Sequence, residues 1–312
     1  MDIEFYASLI SRHIPSIEIR SINLVQSGWG SIVLEINDEF VFRFPRRKDI
    51  WYGKEISLLP ILAEHLPVPV PEYRFICPLE NYYPEKTASL AERKYPGETK
   101  PAGSFVGYRK IPGIQLAHPE KIQPTLITQI GRFLTVLHHI PAGVVESCLP
   151  VYSPATWRKM YEEFFCWVGK NLLDRLDTHL RSRVSYFWES HLSDAATFDF
   201  HPALTHGDLC PEDHIFCDPA YRNITGVIDW EDACVGDPAI DFVGFLGMGG
   251  NELVNKIFAC YEGSLGDSFW KRAQFLLDLT PFHELRFALE VGDESHYQTG
   301  LRGLRRLFSH NM

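Results

Sequence analysis

Apolar residues recur along this chain first with the period of a helix, then with that of strands, and beyond the middle almost entirely with that of helices. Over residues 1–14, Ile3, Tyr6, Leu9, Ile10 and Ile14 share one helical face, and Pro15 ends the segment. Residues 32–36 and 40–44 are β-branched or aromatic runs separated by Asn37-Asp38-Glu39, which predicts a hairpin. Ile56, Leu59, Leu62 and Leu66 predict a helix over about 50–65, and Pro67-Val68-Pro69-Val70-Pro71 then forces extended chain. Strand-like stretches at 73–77 and 105–111 flank a polar segment, about 79–102, whose Pro84, Pro96, Gly97 and Pro101 mark it as a surface loop or insertion. After Pro112-Gly113 the spacing is helical at 122–139, 155–191, 252–263, 268–291 and 295–308. The interruption is a second hairpin, 215–217 and 224–228, folded at Asp218-Pro219. A small β-rich first half and a larger helical second half predict an α+β fold of two lobes.

Composition narrows the partners. With 312 residues, 45% of them hydrophobic, the chain can bury a large core. A formal charge of −10 argues against nonspecific binding to nucleic acid or to anionic membrane, and suits a cationic ligand better. Cysteines at 77, 148, 166, 210, 217, 234 and 260 form no Cys-x-x-Cys pair and no zinc spacing, which fits a reducing cytoplasm. No basic leader and no apolar run of membrane-spanning length is visible.

The chemistry concentrates in residues 206–216, His-Gly-Asp-Leu-Cys-Pro-Glu-Asp-His-Ile-Phe, and in Val227-Ile228-Asp229-Trp230. The second hairpin would gather Asp208, Asp229 and either Asp213 or His214 into one pocket. That set suits magnesium-dependent phosphoryl transfer, with one carboxylate facing the acceptor hydroxyl and the others holding a metal on the phosphates. The bland alternative makes Asp208 and Asp229 turn-capping residues. A metal-dependent hydrolase would need further His and Asp ligands at strand ends, which the sequence does not offer.

The same stretch resembles the catalytic core of the aminoglycoside phosphotransferases and their macrolide-kinase relatives, small-molecule kinases built on the protein-kinase fold. The resemblance rests on His206-Gly207-Asp208-Leu209, His214-Ile215-Phe216, Gly226-Val227-Ile228-Asp229-Trp230 and Gly236-Asp237-Pro238-Ala239-Ile240-Asp241. It continues through the run from Phe40 to Arg46, Glu55, the Pro67 to Pro71 segment and Gly107 to Gly113. It implies a bilobal protein-kinase-like fold, with a nucleotide-binding lobe at 1–108, a hinge at 109–113 and a catalytic and substrate-binding lobe at 114–312.

Site roles follow from the resemblance. Asp208 is expected to accept or orient the acceptor proton, and Asp229 to hold Mg2+. The second metal position is open between Asp213, five residues after Asp208, and His214, six after it; a one-residue insertion favours His214, whereas the hardness of magnesium favours Asp213. Ser27, Gly28, Gly30 and Ser31 resemble the loop over the nucleotide phosphates, and Arg43 and Glu55 the basic residue of the third strand and its helical partner. Arg109, Lys110 and Ile111 are expected to present main-chain groups to the purine of ATP or GTP, which this does not separate. Carboxylates Glu231, Asp232, Glu284, Glu290 and Asp293 are candidates for contact with a polycationic acceptor, or are solvated helix faces. The leading acceptor is an aminoglycoside, then a macrolide, then a small metabolic alcohol or sugar. A kinase-like binding module without activity is the rival from a different class.

Overall fold

The computed structural model describes residues 3–27, 30–46, 52–79 and 103–309. The polar segment expected at 79–102 lies, apart from Leu79, outside the described residues. The chain opens with α1 (Ile3–His13) and three strands, β1 (Ile22–Ser27), β2 (Ser31–Ile36) and β3 (Phe40–Pro45). Next come α2 (Gly53–His65), β4 (Phe75–Pro78) and β5 (Ser104–Arg109), completing an antiparallel five-stranded sheet in the order β1-β2-β3-β5-β4. Asn37 and Asp38 both take positive φ, 60° and 57°, as a tight hairpin turn requires. The Asn37 side chain adds a brace: its Oδ1 accepts from the amides of Arg20 and Ser21, and its Nδ2 donates to Glu18.

Strand β1 carries no alternation that would have marked it. Leu24 and Val25 are consecutive and both exposed, because a bulge between Leu24 and Gln26 shifts the register of this edge strand. Burial instead defines the first core, where Tyr6 and Ile10 of α1, with Ile14 just after it, pack on Ile32, Leu34, Ile36, Phe42, Phe44 and Phe105.

The second lobe begins at β6 (Ile114–Gln115) and α3 (Pro124–His139), followed by α4 (Ala142–Val145), α5 (Pro154–Asn171) and α6 (Thr178–Ser193). The single helix expected over 155–191 is two, because Leu172 to Leu176 leave helical geometry and Asp177 caps α6 by accepting from the Leu180 amide at 2.9 Å. Then come β7 (Ala203–Thr205), the single turn α7 (Pro211–His214), β8 (Ile215–Cys217), β9 (Ile224–Val227) and β10 (Cys234–Gly236). β8 and β9 form the expected hairpin and extend to β6, while β10 pairs antiparallel with β7. Helices α8 (Val243–Phe258), α9 (Phe269–Asp278), α10 (Thr280–Val291) and α11 (Glu294–Ser309) close the lobe. Pro281, at the start of α10, separates it from α9, where one helix was expected across 268–291.

The cores do not divide where the chain suggests. Leu58, Leu59 and Leu62 of α2, with Leu66 and Val68 after it, are buried in the large cluster of the second lobe. Helix α2 is therefore part of the first lobe by sequence and of the second by packing. At the base of that lobe Arg272 is fully buried, donating through Nε to Asp237 at 2.8 Å and through its two terminal nitrogens to Asp199 and Leu265 carbonyls. Asp237 in turn accepts from the Ala239 amide. Removing one partner of a buried pair strands the other charge, so Asp237→Ala should cost about 3–5 kcal/mol. A lowered urea midpoint checks this, and Arg272→Met in the same chain should recover much of the loss.

Candidate active site

Two short strands and a turn place Asp208. Strand β7 runs into His206 and Gly207, and Asp241 fixes both: its carboxylate accepts from the His206 amide and from the Gly207 amide, each at 3.0 Å. His138 of α3 donates to the same carboxylate at 3.1 Å, so Asp241 is buried with three donors. Gly207 has φ +85°, and a Cβ there would lie 2.3 Å from the Asp232 carbonyl oxygen, so the turn admits glycine and little else. Asp208 emerges from this anchored turn exposed to the cleft. Its carboxyl is raised above the usual carboxylate range, first by partial desolvation and then by Asp232, Asp229 and Asp213, with His214 opposing.

Asp229 follows β9 at a positive φ of 67°, which turns the chain sharply. The residue before it is tied back to the Asp208 loop, since His206 Nε2 donates to the Ile228 carbonyl at 2.9 Å. His214, closing α7, sits opposite. Its Nδ1 lies 2.5 Å from the Asp208 carbonyl oxygen, and its Nε2 is 3.9 Å from Asp229 Oδ2. A Nδ1–H directed at that carbonyl leaves Nε2 turned toward Asp229. Asp213, by contrast, is exposed on α7.

Charge across the cleft is organised by Arg43 on β3, which is buried. One terminal nitrogen donates to Glu55 Oε1 and Oε2 at 2.9 and 3.1 Å and to the Tyr73 hydroxyl at 3.3 Å. The other donates to Asp229 Oδ1 at 2.8 Å and reaches Glu231 Oε2 at 3.5 Å. Burial works against the guanidinium charge, but Asp229 and Glu55 outweigh it. For Asp229 the balance is reversed: burial alone would raise its carboxyl, and Arg43, His214 and His206 hold it below the usual range. Glu231, which Arg43 reaches only at the longer distance, is pushed up to about 8, by burial first and then by Asp229, with Arg43 opposing.

The structure thus brings Asp208, Asp229, His214, Arg43, Glu55, Glu231 and Asp232 together, the last exposed at the rim. Other expected residues are elsewhere or otherwise engaged. Ser27 ends β1, and Gly28 lies outside the described residues. Gly30 accepts the Arg46 amide, and the buried Ser31 hydroxyl shares a hydrogen bond with the Tyr52 hydroxyl at 2.9 Å. The Lys110 amide donates to the Glu39 carbonyl and its ammonium pairs with Glu35 and Asp38, so that amide is spent within the first lobe; Ile111 is buried against Gly226. Glu284 accepts from His296, Glu290 pairs with Arg286, and Asp293 caps the His296 amide; none of these partners belongs to the Asp208 loop. Sequence reasoning missed Lys54 and Tyr73. Lys54 reads as a solvated helix residue, and Tyr73 as strand core.

Asp229 and His214 fit a metal carried on nucleotide phosphates, which needs only one or two protein ligands. Among the described residues no group of three or more His, Cys, Asp or Glu is arranged to hold a metal ion by itself. Nor is any helix among them long and apolar enough to cross a membrane.

An antiparallel-sheet lobe over a helical lobe, with a carboxylate on an anchored loop facing a strand-borne guanidinium and its helical glutamate, defines a kinase-like phosphotransferase. The chain belongs to the phosphotransferase enzyme family, whose model matches residues 21–275. It is 26% identical over 203 residues to viomycin phosphotransferase of Streptomyces vinaceus, covering 63% of this chain and 68% of that protein. Its fold superposes on APH(2″)-IIIa in complex with GDP and kanamycin with a TM-score of 0.84, at 24% identity over 99% of each chain. The macrolide 2′-phosphotransferase MphH of Brachybacterium faecium superposes with a TM-score of 0.73 at 22% identity, covering 96% of this chain and 98% of that one.

The buried His206 gives a prediction about pH. Burial, with His214 beside it, lowers its pKa from 6.5 to about 4, so the unfolded chain takes up the proton first. The corresponding stability is complete above pH 6.5 and is lost as pH falls toward about 4. Its full size is about 3 kcal/mol. Urea midpoints measured across that window should fall steadily, and His206→Asn should flatten the decline; an equally steep decline in the variant would exclude His206 as its source.

Proposed function

We propose that this protein transfers the γ-phosphoryl group of ATP or GTP, with Mg2+, to a hydroxyl of a small cationic molecule, an aminoglycoside being the leading acceptor class. The observation that carries the reading is the position of Asp208: exposed on a turn that Asp241 and Gly207 make rigid, and beside His214, Asp232 and Asp229, the last of which pairs with Arg43. In this reading Asp208 accepts or orients the proton of the acceptor hydroxyl as its oxygen attacks phosphorus. Its raised carboxyl suits a proton acceptor that later releases the proton to solvent. Arg43, held by Glu55 through one terminal nitrogen, presents the other to the phosphates. Asp229 and His214 would hold the magnesium, which neutralises phosphate charge.

The acceptor class rests on electrostatics and on relatives. Asp208, Asp213 and Asp232 are all exposed around the cleft, a negative rim that suits an amine-rich acceptor. GDP and kanamycin occupy one structural neighbour, and viomycin is the substrate named for one relative. Glu284, Glu290 and Asp293, on α10 and the turn into α11, are assigned to a more distant part of the acceptor surface.

Incubation with magnesium and either nucleotide against aminoglycosides, viomycin, macrolides and small amino alcohols should give a product heavier by one phosphoryl group. Asp208→Ala should lower kcat by about 10²–10⁴-fold with little change in nucleotide affinity; undiminished transfer would sink the mechanism. His214→Ala should weaken magnesium dependence more than Asp213→Ala does, and the reverse order would hand the second metal position to Asp213.

A further inference from the structure

We propose that Lys54 is a positioning residue of this site: its ammonium reaches from the first turn of α2 into the second lobe and holds residues 231–233 in the bend that aims Asp229. The inference rests on the phosphotransferase reading above. Lys54 Nζ donates to the Glu231 carbonyl and to the Ala233 carbonyl, the latter at 3.2 Å. The next residue on the helix, Glu55, accepts the Trp230 amide at 3.2 Å. Two consecutive residues of opposite charge thus bind main-chain groups of opposite polarity on one loop.

That loop governs the geometry of both carboxylates. It starts at Asp229, whose positive φ is unfavourable for a residue with a Cβ and needs surrounding contacts to persist. It passes the Asp232 carbonyl, which sits directly against Gly207 beside Asp208. A compact ammonium with three donors suits two converging carbonyls, whereas a planar guanidinium suits the carboxylates that Arg43 serves. The groups facing Lys54 are Asp232, Cys234, Glu55 and Glu231; burial lowers its pKa and the carboxylates oppose that. Helix α2 is fixed by its leucines in the second-lobe core, so Lys54 works from a rigid base.

Without the ammonium, two carbonyls lose their donor and the bend relaxes while the helix stays seated. Lys54→Met should therefore speed amide hydrogen exchange across residues 230–234 and leave that of the α2 interior unchanged. At saturating nucleotide it should raise the magnesium concentration for half-maximal transfer about tenfold, the low end of what loss of an outer partner of a metal ligand costs. Binding of a fluorescent nucleotide without metal should stay within about twofold, since the donors of Lys54 are directed at the Glu231 and Ala233 carbonyls. Lys54→Arg, which keeps the charge but whose planar guanidinium fits two converging carbonyls less well, should recover only part of both losses. Unchanged exchange over 230–234 in Lys54→Met would overturn the proposal, as would an equal loosening of all of α2. Absence of any transfer by the wild-type protein would sink the function proposed above while leaving the exchange experiment to decide on Lys54.

Discussion

The guanidinium of Arg43 is the interaction on which the cleft depends. Glu55, Asp229 and Glu231 converge there from α2 and from the end of β9, and like charges at such spacing repel strongly once water is removed. Arg43 compensates them, and because it stands on the central region of the first sheet it also ties that sheet to the second lobe. Burying this charge is costly, and the cost is offset only because both edges of the guanidinium are hydrogen-bonded to carboxylates. Its stabilising value and its functional value are therefore linked. In the proposed mechanism the pair that keeps Asp229 ionised is also the one a nucleotide phosphate would share.

Beneath this charged layer lies a second anchor of different character. Asp241 is wholly buried and takes three donors, two of them the consecutive amides that open the Asp208 turn. Nothing about it depends on ligand. The Asp208 loop is accordingly set by the folded core of the second lobe, through His138 and α3, whereas Asp229 is set by contacts that cross the lobes, through Arg43 and Glu55. Relative movement of the lobes would displace Asp229 against an almost fixed Asp208. The neutral His206, hydrogen-bonded to the Ile228 carbonyl, limits how far that displacement can go.

Much of this was legible in the sequence, for physical reasons that differ by residue. The β8–β9 hairpin and the strands β2 and β3 announce themselves through alternation and turn residues, and Asp208 and Asp229 through the turns that present them. Arg43 and Glu55 were readable only through resemblance, since an arginine in a strand and a glutamate in a helix are locally unremarkable. Strand β1 was hidden by its bulge. The breaks at Leu172 and Thr280 were hidden by helical spacing that continues across them. Lys54 was invisible because its role depends on α2 packing with the second lobe, and that long-range fact has no local signature. Between Asp213 and His214 the alignment favoured His214 and the hardness of magnesium Asp213; one turn of helix, α7, exposes the first and turns the second toward Asp229.

The use of arginine at position 43 has a consequence for how the site works. A lysine ammonium is a point charge on a flexible stem, able to leave one carboxylate for a phosphate by rotating about its own bonds. Arg43 instead engages Glu55 with one nitrogen and Asp229 with the other, so the plane of its side chain is fixed by the first contact while the second faces the cleft. An incoming phosphate can then compete for the outer nitrogen alone, without breaking the pair that seats α2. Asp229, released from that nitrogen, would in the proposed mechanism be free to hold a cation while the phosphate supplies compensating charge. In the proposed mechanism the guanidinium would thereby couple arrival of the nucleotide to release of Asp229, a coupling that follows from the two edges of one side chain and requires no displacement of the helix.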